Sequence, residues 1–165
     1  MALLNATRLA ILALALMAAS VAMAQDTAVA FGGLKGDTSL PVEMKSDALS
    51  VNQADGNAVF TGNVVVTQGA MKLSAAEIRV EYSADKKAIE KLYATGGVLL
   101  ANANDAAQAD QAVYTISTGE VVMTGNVLLT QGQAAMSSVK LIIDLKSGTG
   151  RMEGRVTTTF TPAAN

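Results

Sequence analysis

Phe60-Thr61-Gly62-Asn63-Val64-Val65-Val66-Thr67-Gln68-Gly69 returns almost unchanged as Met123-Thr124-Gly125-Asn126-Val127-Leu128-Leu129-Thr130-Gln131-Gly132. Two weaker echoes keep the same frame. They are Tyr93-Ala94-Thr95-Gly96-Gly97-Val98-Leu99-Leu100 and Met152-Glu153-Gly154-Arg155-Val156-Thr157-Thr158-Thr159. The anchoring glycines stand at 62, 96, 125 and 154, in steps of 34, 29 and 29 residues. A nearly fixed period of that size marks one supersecondary unit stacked on copies of itself.

Outward from the phrase, apolar residues alternate with polar ones at the period of a strand. Phe60, Val64 and Val66 share one face, with Thr61, Asn63 and Thr67 on the other. Leu49 with Val51, Met71 with Leu73, and Ile78 with Val80 and Tyr82 continue the pattern. So do Ala112, Tyr114 and Ile116, and then Leu141, Ile143 and Leu145. Gly69-Ala70, Ser83 to Lys87, Ser117 to Glu120 and Ser147 to Gly150 read as turns, and Asn102 to Gln108 as a loop. One unit is therefore two strands. The first follows a small or polar start at Asp47, Ala76, Asp110 or Ser138, and the second carries the Gly-Asn-Val phrase. Four units predict about eight long strands, or up to about sixteen if kinks split them. Glycine inside a strand marks a bulge or bend, so glycines in one frame predict a sheet that bends at the same place in every unit.

The N-terminus reads differently. Arg8 precedes the apolar run Leu9 to Ala19, and Ala22-Met23-Ala24 is an A-x-A cleavage signal. Residues 1–24 are thus predicted to be a cleavable secretory signal peptide, removed after Ala24. A membrane anchor is the rival, but the apolar run is shorter than the roughly 20 residues that span a bilayer. Residues 25–40 show no period and are expected to be a flexible lead-in. A β domain is expected over 41–161, with a short tail at 162–165.

Composition removes several classes of function. The chain has no histidine, cysteine or tryptophan. Histidine general acid–base work, Ser-His and Cys-His nucleophiles and the usual zinc ligands are therefore absent. Without cysteine an exported chain has no disulfides, and strand pairing and core packing must hold it. The formal net charge is −2, which gives no basic field for a nucleic-acid partner. Asp85, Glu90, Asp105, Asp110 and Glu120 are carboxylates of the type that runs glycoside chemistry, but they sit among polar residues and read as solvated turn charges. Asn102, Asn104 and Asp105 lack the EF-hand pattern for calcium. No enzyme, cofactor or metal site is expected.

The secretory leader, the all-β repeat and the doubled T-G-N-V-x-x-T-Q-G phrase together resemble the OstA-like family. Gly36-Asp37-Thr38, Leu40 to Asp47, Phe60 to Gly69, Met123 to Gln131 and Arg155 to Thr158 carry the resemblance in order, over about 36–160. The departures are Gly97 and Arg155 where the phrase has Asn, and Leu99 where an aromatic is expected. The resemblance implies an all-β fold, a twisted, partly open antiparallel β-jellyroll. It implies a periplasmic bridge that binds the acyl chains (the lipid A part) of lipopolysaccharide in an apolar groove. The implied partners are inner-membrane LptC-like and outer-membrane LptD-like jellyroll domains and further copies of the chain, joined head to tail.

Physical chemistry makes that role sensible. At roughly 0.8 kcal/mol per methylene, an acyl chain of a dozen carbons costs on the order of 10 kcal/mol to hold in water. A carrier needs an aliphatic inner face and a polar outer one. The expected lipid-contacting residues are Val42, Met44, Phe60, Val64, Val66, Leu99, Tyr114, Ile116, Val127, Leu129, Leu141 and Ile143. Eight methionines add an adaptable lining. Val42, Glu43 and Met44 at one end and Val156, Thr157 and Thr158 at the other are expected edge strands, open to another chain's strand.

Three alternatives use the same pattern. An LptC-like jellyroll would keep its N-terminus as an inner-membrane anchor. An outer-membrane barrel would need strands of 9–11 residues and aromatic girdles. The aromatic content of 4% and shorter expected strands oppose it. A secreted β domain with an ordinary dry core would need aromatic platforms or paired carboxylates to bind or cut sugars.

Overall fold

The computed structural model describes residues 28–30, 34–52, 56–85 and 87–161. The expected signal peptide and the tail at 162–165 lie outside them. Eleven strands follow one another: β1 (Ala28–Ala30), β2 (Glu43–Lys45), β3 (Ala48–Val51), β4 (Ala58–Gln68), β5 (Met71–Tyr82), β6 (Ile89–Ala101), β7 (Asp105–Thr115), β8 (Glu120–Gln131), β9 (Ala134–Asp144), β10 (Thr149–Glu153) and β11 (Thr157–Phe160). They form one sheet in the order β1-β10-β9-β8-β7-β6-β5-β4-β2, with β3 beside β2 on β4 and β11 beside β10 on β9. Every pairing is antiparallel. The sheet does not close into a barrel, because nothing joins β2 or β3 to β1 or β11.

The repeated phrase explains the bend. Each copy places two consecutive residues in the left-handed region: Gly62 and Asn63, Gly96 and Gly97, Gly125 and Asn126, Gly154 and Arg155. Glycine adopts that conformation freely, and Asn more readily than most side chains. The pair makes a bulge, and the register shifts there between Thr61 and Val64, Thr95 and Val98, and Thr124 and Val127. The bulges line up across the sheet and divide each of β4 to β9 into two parts. Gly97 and Arg155, the departures from the phrase, keep the positive φ of the asparagines they replace, at 82° and 46° against 47°, so the bend survives in every unit.

In three of the four units the small or polar start lies against the next glycine, and in the fourth Val139, one residue past Ser138, takes that place. A Cβ on Gly62 would sit 2.5 Å from Asp47 Oδ2, and one on Gly96 2.7 Å from Ala76 Cβ. Gly125 faces Asp110 and Gly154 faces Val139 in the same way. In two units the following asparagine completes a clasp. Asn63 Nδ2 donates to Asp47 Oδ2 at 2.8 Å, and Asn126 Nδ2 donates to Asp110 Oδ2 at 2.9 Å.

Two half-sheets result. The first holds β3, residues 58–61, 77–82, 89–95, 111–115, 120–124 and 140–144, and β10 with β1. The second holds β2, residues 64–68, 71–75, 98–101, 105–109, 127–131 and 134–138, and β11. One face of each is buried in a single core, including Ile78, Leu92, Met123 and Ile143 of the first and Val66, Leu73, Leu100 and Leu129 of the second. A sheet can bury a whole face this way only by folding over on itself at the bend.

Three expectations need correction. Residues 102–108 are not all loop: β7 begins at Asp105, and Ala107 and Ala109 are inner-face residues whose small size hid the alternation. Strands β4 to β9 run from 11 to 13 residues, so strand length does not oppose a membrane barrel. The open sheet does. The lead-in is not loose throughout. Residues 28–30 pair with β10, and Leu34 is buried in the core. Residues 34–40 cross strand ends rather than lie in a ladder, and so have no reason to show a period.

Candidate functional site

The inner face is built from rows of cross-strand partners that run the width of the sheet. In the first half-sheet one row is Leu49, Phe60, Ile78, Ala94, Ala112, Met123, Leu141 and Met152. A second starts at Val51 and passes through Leu92, Tyr114, Val121 and Ile143. In the second half-sheet a row starts at Met44 and passes through Val66, Leu73, Leu100, Ala107, Leu129 and Met136 to Thr158. Period-two alternation puts these side chains on one face, and stacking the halves puts the rows opposite one another.

Exposure along the rows is uneven in an informative way. The middle is sealed, with Leu73, Ile78, Leu100, Met123 and Leu141 at 0%. The ends are not: Leu49 is 54% exposed, Val51 63% and Phe160, on the Met136 face of β11, 73%. Apolar side chains of the inner face thus reach solvent at the β3 edge through Leu49 and Val51, and at β11 through Phe160, next to the row that ends in Thr158. Shallow depressions of about 390, 500 and 420 Å³ also follow the bend on the outside of the sheet, lined in part by Val65, Leu99 and Leu128.

Tyr114 brings polarity into this interior. Its hydroxyl donates to Gln68 Oε1 at 2.6 Å, across from the first half-sheet to the second. Burial pushes the Tyr114 hydroxyl pKa up to about 12, so it is a neutral donor at any physiological pH.

Of the expected contacts, Val64, Val66, Tyr114, Val127, Leu129, Leu141 and Ile143 are buried on the inner face. Val42, Met44, Phe60 and Ile116 pack half-buried against it. Leu99 is corrected. It pairs with Ser74 and Gln108 on the outer face and is 37% exposed. The repeat frame itself carries the reason, since aligning Gly96 with Gly62 matches Leu99 to Val65, not to Val64 or Val66. Of the expected edges, Glu43 and Met44 lie in β2 with Val42 just before it. Thr157 and Thr158 lie in β11 with Val156 just before it.

Gln68, Leu34 and the asparagine clasps were missed. The clasps had a signal, because Asp47–Asn63 and Asp110–Asn126 share one spacing of 16 residues. Among the candidate carboxylates, Asp110 closes a bulge, and Asp105 is buried and accepts from Gln131 Nε2 at 3.2 Å. Asp85 closes its own turn, where the Ser83 hydroxyl holds its carboxyl below the usual range. Among the described residues no cluster of acidic residues is placed to hold a metal ion, and no helix is long and apolar enough to cross a membrane.

Residues 43–149, most of the bent sheet, match the family described as LptA/(LptD N-terminal domain) LPS transport protein. The chain belongs to that family. Lipopolysaccharide export system protein LptA of Escherichia coli (strain K12) is 30% identical over 141 residues, covering 78% of this chain and 75% of that protein. LptA of Haemophilus influenzae is 25% identical over 159 residues, covering 90% and 91%. The crystal structure of LptH, the LptA homologous periplasmic component of the lipopolysaccharide transport device from Pseudomonas aeruginosa, matches with a TM-score of 0.68 at 19% identity. That match covers 77% of this chain and 99% of LptH. The fold is thus the expected all-β, partly open antiparallel jellyroll of the LptA family.

Proposed function

We propose that this chain is a periplasmic, non-enzymatic carrier of lipopolysaccharide, cleaved after Ala24. It takes acyl chains between the half-sheets and passes them from inner to outer membrane through head-to-tail contacts. Its partners are further copies of itself and LptC-like and LptD-like jellyroll domains. One observation carries the reading beyond the family: large apolar side chains stand exposed on the inner face at both edges, Leu49 and Val51 at the ends of two rows on β3, and Phe160 on β11 beside the row that ends in Thr158. Abutting the β3 edge of one copy on the β11 edge of another would bring these apolar side chains together, and a contact between unlike ends need not close into a ring.

The test places a photo-crosslinking residue at Val66, with Thr67, facing outward, as the control. Lipopolysaccharide is expected to be captured at Val66 and not at Thr67. Equal capture at both, or none at either, defeats the groove. The mass of the exported protein separates the anchored alternative: a chain beginning at Gln25 fits the free carrier, and one beginning at Met1 fits the LptC-like anchor.

A further inference from the structure

Residues 34–40 belong to no strand, yet they bridge the free tips of the two half-sheets, opposite the bend. Leu34 is 1% exposed and part of the core. At the tip of the first half-sheet, Gly36 N–H donates to Leu145 O at 2.8 Å, and Thr38 Cγ2 lies against Gly119. At the tip of the second, Asn102 Nδ2 donates to Lys35 O at 3.3 Å, and Leu40 Cδ1 lies against Gly69. Gln68 Nε2 donates to Thr38 O at 3.0 Å and to Leu40 O at 2.8 Å. The strap keeps its own shape through a turn in which the Asp37 carboxylate accepts from Ser39 N–H and Oγ–H.

The hold on this segment is slight beside a strand ladder, being one buried leucine and a few hydrogen bonds. Its centre is Gln68, which uses its amide group on the strap and its carbonyl on Tyr114. The Tyr114–Gln68 bond crosses the interior from one half-sheet to the other. Anything that enters between the half-sheets at this level must part the two residues. Gln68 then loses the partner that orients it toward Thr38 and Leu40.

We propose that residues 34–40 form a lid over the mouth of the apolar interior, latched by Gln68 and Tyr114, and that entry of acyl chains releases it. Leu34 fills the mouth of the empty carrier and gives way to lipid. The proposal rests on the carrier reading above and adds its control.

Amide hydrogen exchange on the full exported chain, with and without lipopolysaccharide, tests it alongside the Val66 cross-linker. Lipid is expected to speed exchange of the Gly36 amide by about tenfold or more, the effect of losing one or two hydrogen bonds, while β7 and β8 stay protected. Q68M is expected to give the same fast strap exchange without lipid and to speed capture at Val66. Y114F, which keeps the ring, is expected to act in the same direction more weakly. If the unmodified chain captures no lipopolysaccharide, the carrier reading fails and the lid with it. If it captures lipid while the Gly36 amide stays protected, the lid alone fails. If β7 and β8 lose protection in Q68M, Y114F decides: capture no faster than in the unmodified chain overturns the latch.

Discussion

Replacing Gly125 by alanine tests whether the repeated phrase bends the sheet for the reason given. Gly125 has φ +79°, where an alanine pays roughly 1–2 kcal/mol. Its new Cβ would also overlap Asp110 Oδ2 and stand 2.9 Å from Asp110 Cβ. Asp110 must swing away and lose its 2.9 Å bond from Asn126, a further ~1 kcal/mol at an exposed site. The total is about 2–3 kcal/mol, a large share of a domain's stability of about 5–15 kcal/mol. Gly97 is the internal control. Its φ is +82°, but nothing lies within 4 Å of a Cβ there, so Gly97→Ala carries only the conformational cost of roughly 1–2 kcal/mol. Urea unfolding followed by circular dichroism reads both, with a midpoint shift of about 1–2 M for Gly125→Ala and about half that for Gly97→Ala. Adding Asp110→Ala to Gly125→Ala relieves the overlap, so the double variant should lose about 1 kcal/mol less than the sum of the singles. A Gly97→Ala loss as large as that of Gly125→Ala, or strict additivity in the double variant, would refute the clasp.

The inner and outer faces of β6 are separable: Leu100→Ala, at a site 0% exposed, should cost about 2–5 kcal/mol, and Leu99→Ala less than about 1 kcal/mol. The reverse order in a denaturation series would mean that the register of this echo is wrong. Tyr114 sets an alkaline limit. Its pKa is raised from 10.0 to about 12 in the folded chain, so the unfolded chain loses this proton first. The contribution is whole below pH 10 and declines by roughly 2–3 kcal/mol as pH rises to about 12. The difference in stability between the native chain and Tyr114→Phe should shrink over that window, and parallel pH profiles would contradict it. Leu49→Asp and Phe160→Asp change exposed apolar side chains at the two edges. Sedimentation should show weaker self-association at nearly unchanged stability, with Leu99→Asp as the outer-face control. Self-association indifferent to both end changes would rule out the edge-to-edge contact.

Much of the fold is local, and the sequence carried it. Alternation is a property of consecutive residues, and it placed Val64, Val66, Val127 and Leu129 on the inner face. A left-handed residue pair is a property of two neighbours, so the glycines at 62, 96, 125 and 154 marked the bulges without any knowledge of the partner strands. Leu99 was legible too, had the phrase been aligned through Gly96 rather than read by hydrophobicity. Where alanines stand for larger residues, as at Ala107 and Ala109, the pattern faded because small side chains carry little hydrophobic contrast.

What the tertiary structure alone decided is how the halves meet. The bulges say that the sheet bends; how far it closes depends on all of them at once and on the side chains that come into contact. Only then does Gln68 face Tyr114, 46 positions along the chain. Only then do the strand ends at Gly69, Asn102 and Leu145 stand where residues 34–40 can bridge them. Such contacts join residues whose neighbours in sequence say nothing of one another. The repeat thus specifies a bent sheet with one apolar face, and the packing of that face against itself makes it a shared core with apolar side chains exposed at its edges and residues 34–40 across the strand tips.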